Sequence, residues 1–346
     1  MDPETYDLEV LAFNDFAPLR ERYERAGAAY SVLEVRSLKG IDWLRSGGRL
    51  ARHLRDRKAD VFHSHDSYGN LLGVPWARIA GTPAVIASRR WWKSNPGAGH
   101  RTGNRLVFRC AHAVITNTQA VAELMTSEGI SPSKIRIVPN FLDEDAFCPP
   151  DRAVTDGLRA ECGIPTDARV IGIVAQLRVE KDHVTLLRAA ARVVESHSDA
   201  HFLLIGEGKC RAELEALRQE LGLHDRVHLA GLRHGVGNLH HMFDISVLCS
   251  QTEALSNSIL EGMAAGNPLV VTDVGGNPDA VIDGETGTTV PVGSSAGLAA
   301  ALDRLLADED LARQLGTAGL HRARTHYTLG AALSTLADTY AGLLAA

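Results

Sequence analysis

Glu253 and Glu261 stand eight positions apart, inside the run Glu253-Ala254-Leu255-Ser256-Asn257-Ser258-Ile259-Leu260-Glu261-Gly262-Met263-Ala264-Ala265-Gly266. An apolar run precedes this segment at Ile245–Leu248 and another follows at Pro268–Val271, so it reads as strand, loop, helix, strand. Glu253 falls in the loop and Glu261 one turn into the helix. The Ser/Asn-rich loop supplies an N-cap and free backbone N–H groups, where an anion such as a phosphate belongs. A plainer role for Glu261 fits equally well, because Ser258 and Glu261 have capping-box spacing and would then only tie the helix start. Gly262 and Gly266 suit close packing and the helix stop. Ile205-Gly206-Glu207-Gly208-Lys209 is G-x-G at a strand end, compatible with a phosphate loop or with an ordinary strand-to-helix turn.

The elements that must hold these residues alternate along the whole chain. Strands are expected at Leu8–Phe13, Tyr30–Val35, Val61–His65, Ala84–Ser88, Ala113–Thr116, Lys134–Val138, Val170–Ala175, His201–Ile205, Arg226–Leu229, Ile245–Leu248, Pro268–Val271 and Gly287–Val290. Most are separated by helices with a recognisable stop, such as Glu123-Leu124-Met125 ending at Gly129, or Glu213 to Glu220 ending at Gly222. Near-continuous apolar strands alternating with helices argue parallel sheets covered on both faces, the doubly wound α/β class. Asp143 to Thr166, with Pro149-Pro150 and Gly163-Ile164-Pro165, interrupts the alternation and reads as an extended connection. Two sheets facing across a cleft would bind ligand at the carboxyl ends of their strands.

The 346 residues, 45% of them hydrophobic and 23% charged, suit two domains and exclude disorder, collagen and a disulfide scaffold. Five scattered cysteines without a C-x-x-C pair point to a reducing compartment and against a cysteine metal site. Nowhere do 18 apolar residues run together, and the start Met1-Asp2-Pro3-Glu4 is unlike a signal peptide, so a cytoplasmic location is expected. The net charge of -6 is uneven, since residues 1–150 hold 20 Lys+Arg against 17 Asp+Glu. Much of that basic excess lies in Arg45 to Lys58, where Trp43, Leu44, Leu50, Ala51 and Leu54 keep helical spacing. Such a helix can cover a sheet or touch a membrane surface. No nucleic-acid signature accompanies it.

Taken together, these motifs resemble the retaining glycosyltransferases of family 4, the group 1 glycosyltransferases of GT-B architecture. Glu253 and Glu261 match that family's E-x7-E element. Thr272-Asp273-Val274-Gly275-Gly276-Asn277-Pro278 and Asp283-Gly284-Glu285-Thr286-Gly287 also look like its donor domain, and the likeness runs from about Leu8 to Leu344. The resemblance implies two Rossmann-like domains: an acceptor-side domain at 1–147, a linker at 148–165, a nucleotide-sugar domain at 166–330, and a terminal helix at 331–346 packing back on the first domain.

It also implies roles. Glu253 would position the donor hexose and Glu261 the ribose, fitting the capacity of a carboxylate to accept hydroxyl hydrogen bonds. The N–H groups of Leu255, Ser256 and Asn257 would face the distal phosphate. In Val174-Ala175-Gln176-Leu177-Arg178-Val179-Glu180-Lys181-Asp182, Lys181 matches a lysine that binds the leaving pyrophosphate. The family arginine would usually stand where this chain has Gln176, and Arg178 is the candidate replacement; surface pairing of Arg178 and Lys181 with Glu180 or Asp182 is the alternative. Gly206, Gly208 and Arg233 would border the nucleotide. On the acceptor side, Val61-Phe62-His63-Ser64-His65-Asp66 resembles a family strand end that would turn His65 and Asp66 to the cleft, with His63 buried. Arg89 and Arg90 stand near a point where the family often has a histidine, and would meet donor phosphate, an anionic acceptor or solvent. Asn140 and Asp143 of Pro139-Asn140-Phe141-Leu142-Asp143 would fix the linker.

The implied activity is transfer of a hexose-type sugar from a nucleoside-diphosphate sugar to a saccharide or lipid-linked acceptor, without metal or other cofactor and without nucleic acid. Peripheral contact with the inner face of the cell membrane is part of the expectation. The chain opens on what resembles the family's second βα unit, about 20–30 residues into the pattern, so unpaired edges are expected at Leu8–Phe13 and Val61–His65. A nucleotide-sugar-binding protein or partner subunit without turnover is the alternative that this shortened domain suggests. A dinucleotide-dependent oxidoreductase fits less well. No G-x-G-x-x-G opens the chain, and no acidic residue follows Gly206-Glu207-Gly208 about twenty residues on.

Overall fold

The computed structural model describes residues 4–92, 98–233 and 238–345, with backbone only at 98–101. The polar start Met1-Asp2-Pro3 lies outside the described residues. The first half runs β1 (Glu9–Ala12), α1 (Ala17–Arg25), β2 (Ala29–Val32), α2 (Gly40–Asp56), β3 (Val61–Ser64), α3 (Ser67–Ala80), β4 (Ala84–Arg89), α4 (Ala98–Cys110), β5 (Ala113–Thr116), α5 (Gln119–Ser127) and β6 (Ile135–Ile137). The second runs α6 (Arg152–Glu161), β7 (Arg169–Val174), α7 (His183–Ser196), β8 (Ala200–Ile205), α8 (Arg211–Glu220), β9 (Val227–Gly231), β10 (Ile245–Leu248), α9 (Asn257–Ala264), β11 (Leu269–Thr272), α10 (Asn277–Ala280) and β12 (Thr288–Val290). Three helices close the chain: α11 (Ser295–Ala307), α12 (Glu309–His326) and α13 (Leu329–Leu344).

All strand pairs are parallel, and each expected strand has its counterpart. The second-half sheet has the order β12-β11-β10-β7-β8-β9. Strand order reverses between β7 and β10, the switch point at which open α/β sheets bind ligands. Ile171, Ile173, Phe202, Leu204 and Val247 pack with Leu186, Leu187 and Leu302 of the covering helices, which explains why these strands read as unbroken apolar runs.

The first half is divided into a β1-β2 pair and a sheet β3-β4-β5-β6. One edge of β1 and one of β3 therefore have no strand beside them among the described residues. Both strands are only partly buried, whereas β4 and β5 are buried throughout. Helix α2 joins the two pieces, since Leu50 and Leu54 share a core with Leu11, Phe62 and Val85. Two expectations need correction. Leu44 does not join that face: it is 50% exposed beside Ile41, 58% exposed. The connection after Pro149-Pro150 is not extended but contains α6, whose Leu158 packs with Ile164, Ala168 and Val170; the prolines stop short of a segment with helical spacing.

Helix α13 lies against the first-half sheet, Ala332 and Tyr340 packing on Ile86, Ile115 and Val138. Tyr340 Oη is 2.8 Å from His63 Nδ1, while His63 Nε2 meets Ser88 Oγ at 2.7 Å. No helix among the described residues is long and apolar enough to cross a membrane.

Buried His183 and His240 and half-buried His228 make the second half sensitive to acid. Burial pushes His183 and His228 down to about 4 and His240 down to about 3, whereas in the unfolded chain each returns to about 6.5. Below that value the unfolded state binds more protons, so stability complete at neutral pH is lost as pH falls. His201 and His241, also pushed down by burial, act the same way, while the carboxyls of Glu261 and Asp244, pushed up by burial, oppose it. The urea midpoint is expected to fall steadily from about pH 6.5 to about pH 4. A midpoint constant over that range would show that these imidazoles titrate as they do in water.

Candidate active site

At the carboxyl ends of β7 and β8 two loops lie backbone against backbone. Ala175 N donates to Ile205 O, Leu177 N to Glu207 O and Cys210 N to Leu177 O, each at 3.0 Å. No side chain fits between them: a Cβ on Gly206 would sit 2.0 Å from Ala175 O, and one on Gly208 2.3 Å from Leu177 O. Gly206 also has φ +151, a conformation that L side chains rarely adopt. Both glycines thus serve the close approach of the loops, and Gly206 at the same time lines a cavity of about 590 Å³. Gln176, Arg233, Asn257, Glu261 and the linker residues Asp143 and Asp145 line it as well.

Lys181 ends a 3₁₀ turn, Val179–Lys181, held by Gln251 N donating to Glu180 O at 2.8 Å. Its ammonium pairs with the Glu253 carboxylate, which also accepts from Ser250 Oγ at 2.8 Å. The expected alternative, pairing of Lys181 with Glu180 or Asp182, is not formed: Asp182 instead caps α7, accepting from Thr185 Oγ1 at 2.8 Å. Arg178 is exposed, lies off the cavity wall, and its side chain has no partner among the described residues. Arg233 reaches the cavity but is held by Glu161 at 2.5 Å.

Helix α9 begins after Ser256, which caps it without a side-chain bond. The N–H groups of Leu255, Ser256 and Asn257 have no acceptor among the described residues, the arrangement that attracts an anion. The Ser258–Glu261 capping box does not form, because Ser258 Oγ is 3.1 Å from His240 Nε2. Glu261 is left to the cavity, its carboxyl pushed up by burial.

Behind α9 lies a polar cluster with no counterpart in the sequence expectations. Buried His240 meets Ser246 Oγ at 2.8 Å, and its Nε2 is 3.8 Å from Glu261 Oε2. Asn238 donates to Glu261 O at 2.9 Å and to Ala146 O at 2.8 Å, fastening linker to helix. His240-His241 follows no ligand spacing, so only the contrast of paired histidines in an apolar turn hinted at it.

The acceptor-side residues divide sharply. Arg89 is 6% exposed, paired with Glu128 at 2.5 Å and donating to the Trp91 and Trp92 carbonyls, so it braces that loop rather than facing a ligand. Asp66 caps α3, accepting from Gly69 N at 2.6 Å; a strand-end aspartate before a helix is an N-cap as readily as a binding group. His65 is exposed as a residue, but its ring packs beside His63, centroids 4.1 Å apart, and that partial desolvation, then Arg90, pushes it below its usual value. Half-buried Arg90 donates to Asn140 Oδ1 at 3.1 Å. Asn140 in turn donates to Leu255 O at 3.1 Å and Asn257 Oδ1 at 2.9 Å. The structure thus brings Arg90, Asn140, Asn257 and Glu261 to one cleft.

Residues 155–322 match the family model described as Glycosyl transferases group 1, and residues 1–140 the one described as Glycosyl transferase 4-like domain. A D-inositol 3-phosphate glycosyltransferase of Corynebacterium jeikeium is 30% identical over 277 residues, 74% of this chain and 66% of that protein. The lipopolysaccharide core biosynthesis glycosyltransferase LpsE of Rhizobium meliloti is 31% identical over 240 residues, 69% of this chain and 65% of LpsE. The chain spans about two thirds of the length of these curated relatives. Among solved structures, Anabaena HepE in complex with UDP superposes with a TM-score of 0.86 at 19% identity, covering 96% of this chain and 92% of that one. With matching models on both halves and the GT-B fold, the chain belongs to the group 1 glycosyltransferases of the GT4 type.

Proposed function

We propose that the protein transfers a hexose-type sugar, with retention, from a nucleoside-diphosphate sugar to a saccharide or lipid-linked acceptor. The observation that carries this reading is the cavity at the sheet's switch point, where Glu261 and Asn257, the first residue of α9, share the lining. The nucleotide lies there, its ribose hydroxyls on Glu261 and its distal phosphate at the N-terminus of α9. Lys181 and Glu253 then exchange one another for ligand, ammonium to phosphate and carboxylate to hexose hydroxyls. The bond from the anomeric carbon to the phosphate oxygen breaks, and the acceptor oxygen bonds to the same face. The acceptor's proton goes to the departing phosphate. Lys181 stabilises the charge that builds there, a contribution of about 10²–10³ in rate for one preorganised donor. With a cation and backbone dipoles on the phosphates, the reaction needs no metal in this reading.

The relative LpsE is named for lipopolysaccharide core biosynthesis, which supports an acceptor at the cytoplasmic membrane face. The exposed Ile41 and Leu44, with Arg45 and Arg52 on α2, form a surface suited to anionic lipid.

Uridine, guanosine or adenosine diphosphate is expected to raise the melting temperature, and Glu261→Ala to lose that rise; protection by none, or full protection of the variant, defeats the donor site. Lys181→Ala should keep the fold and lose about 10²-fold or more in kcat. Sedimentation with anionic vesicles should be lost in the double change Leu44→Glu and Arg45→Glu. Equal sedimentation of both proteins would rule out α2 as the membrane contact.

A further inference from the structure

Arg89 and Arg90 are neighbours in sequence with opposite surroundings. Arg89 has a carboxylate and two carbonyls; Arg90 has only the neutral Asn140 amide, and no carboxylate within ion-pair distance among the described residues. A half-buried guanidinium gives up hydration that a neutral amide does not replace, and such charges are ordinarily compensated.

Its position says what compensates it. In the register Ser64↔Ala87, β4 runs two residues past the end of β3, so His65 falls level with Ser88 and Arg90 follows two positions on, both at the carboxyl edge of the sheet. Asn140 links that guanidinium directly to Asn257 on the cavity wall. His65 is exposed, and its ring has no hydrogen bond among the described residues. The groups about it are Arg90 and His63, both of which disfavour its protonation or are disfavoured by it, Asp66, which favours it but is tied up in capping α3, and Tyr340 behind His63. Two nitrogen donors therefore stand on one side of the cleft, and the carboxylate that acts on His65, Asp66, is already engaged with Gly69 N.

We propose that the acceptor carries a phosphate or carboxylate group and that Arg90 and His65 bind it. This rests on the reading that the first half takes the acceptor, and it names the acceptor's chemical class. The anion draws a proton onto His65 and fills Arg90's vacant donors. Because Arg90 keeps its bond to Asn140, a charged acceptor also steadies the loop that holds the donor, which a neutral sugar of the same shape cannot do.

The test uses the full chain saturated with whichever nucleoside diphosphate raises its melting temperature, so that the donor's phosphate site is filled. Inorganic phosphate and malonate are then titrated while the His65 imidazole is followed by NMR. Either anion is expected to raise the His65 titration midpoint, phosphate alone identifying a phosphorylated acceptor and malonate alone a carboxylate. Arg90→Gln, which retains a donor for Asn140, should weaken the anion at least tenfold and leave the nucleotide's melting shift unchanged. His65→Gln should weaken it less, because the arginine remains. No response of His65 to either anion overturns the proposal. So does an Arg90→Gln variant that loses nucleotide protection along with the anion, since Arg90 would then serve the donor. Absence of nucleotide protection in the unaltered protein is a different failure, that of the donor site itself.

Discussion

The Asn140 amide uses everything it has. Its oxygen accepts from Arg90 and from Asn117 at 3.3 Å, and its nitrogen donates to Leu255 O and Asn257 Oδ1. Two of these bonds belong to the first half and two to the loop that opens α9, so rotating or removing the amide costs contacts in both. A buried amide is expensive to leave half-paired. Around it the halves also meet through Ala120 N donating to Asp279 Oδ2 at 3.1 Å, and Ala254 is buried within the first half's core. The cleft's geometry thus depends on a few polar bonds across a modest apolar contact, firm enough to define a site and weak enough to open for ligand exchange.

A second constraint acts inside the second half. The loops after β7 and β8 meet backbone to backbone at Gly206 and Gly208, which rules out side chains at those positions. That clamp fixes one side of the cavity, and the cluster of Asn238, His240 and Ser258 fixes the other. Glu261 stands between two rigid walls. Lys181 and Glu253, by contrast, are held chiefly by each other. The cavity around Glu261 is therefore braced from two sides by bonds to neighbouring elements, whereas the Lys181–Glu253 pair depends on its own partner.

Much of this was legible in the chain. Strand positions followed from short apolar runs, because parallel strands buried on both faces leave little room for polar residues. Glu261's place followed from a helix start between two such runs. What escaped prediction depends on partners distant in sequence. Arg89 and Arg90 are indistinguishable until Glu128 and Asn140 are placed beside them. Asp66 has a strand end and a helix start in the same residue, and only the fold shows the carboxylate turned to Gly69. Helix α6 is masked in the sequence because Pro149-Pro150, which favour extended backbone, stand directly before its helical spacing.

The split of the first half into β1-β2 and β3-β4-β5-β6 also bears on how the molecule assembles. No ladder of backbone bonds crosses between the two pieces among the described residues; Leu50 and Leu54 of α2 carry the connection by side-chain packing. The β1-β2 pair is therefore a candidate for a separately opening unit, able to exchange its amide protons while β4 and β5 remain closed. Opening of the pair would reach the terminal helix as well, because Tyr6, just before β1, packs on the cluster that holds Ala332 and Tyr340.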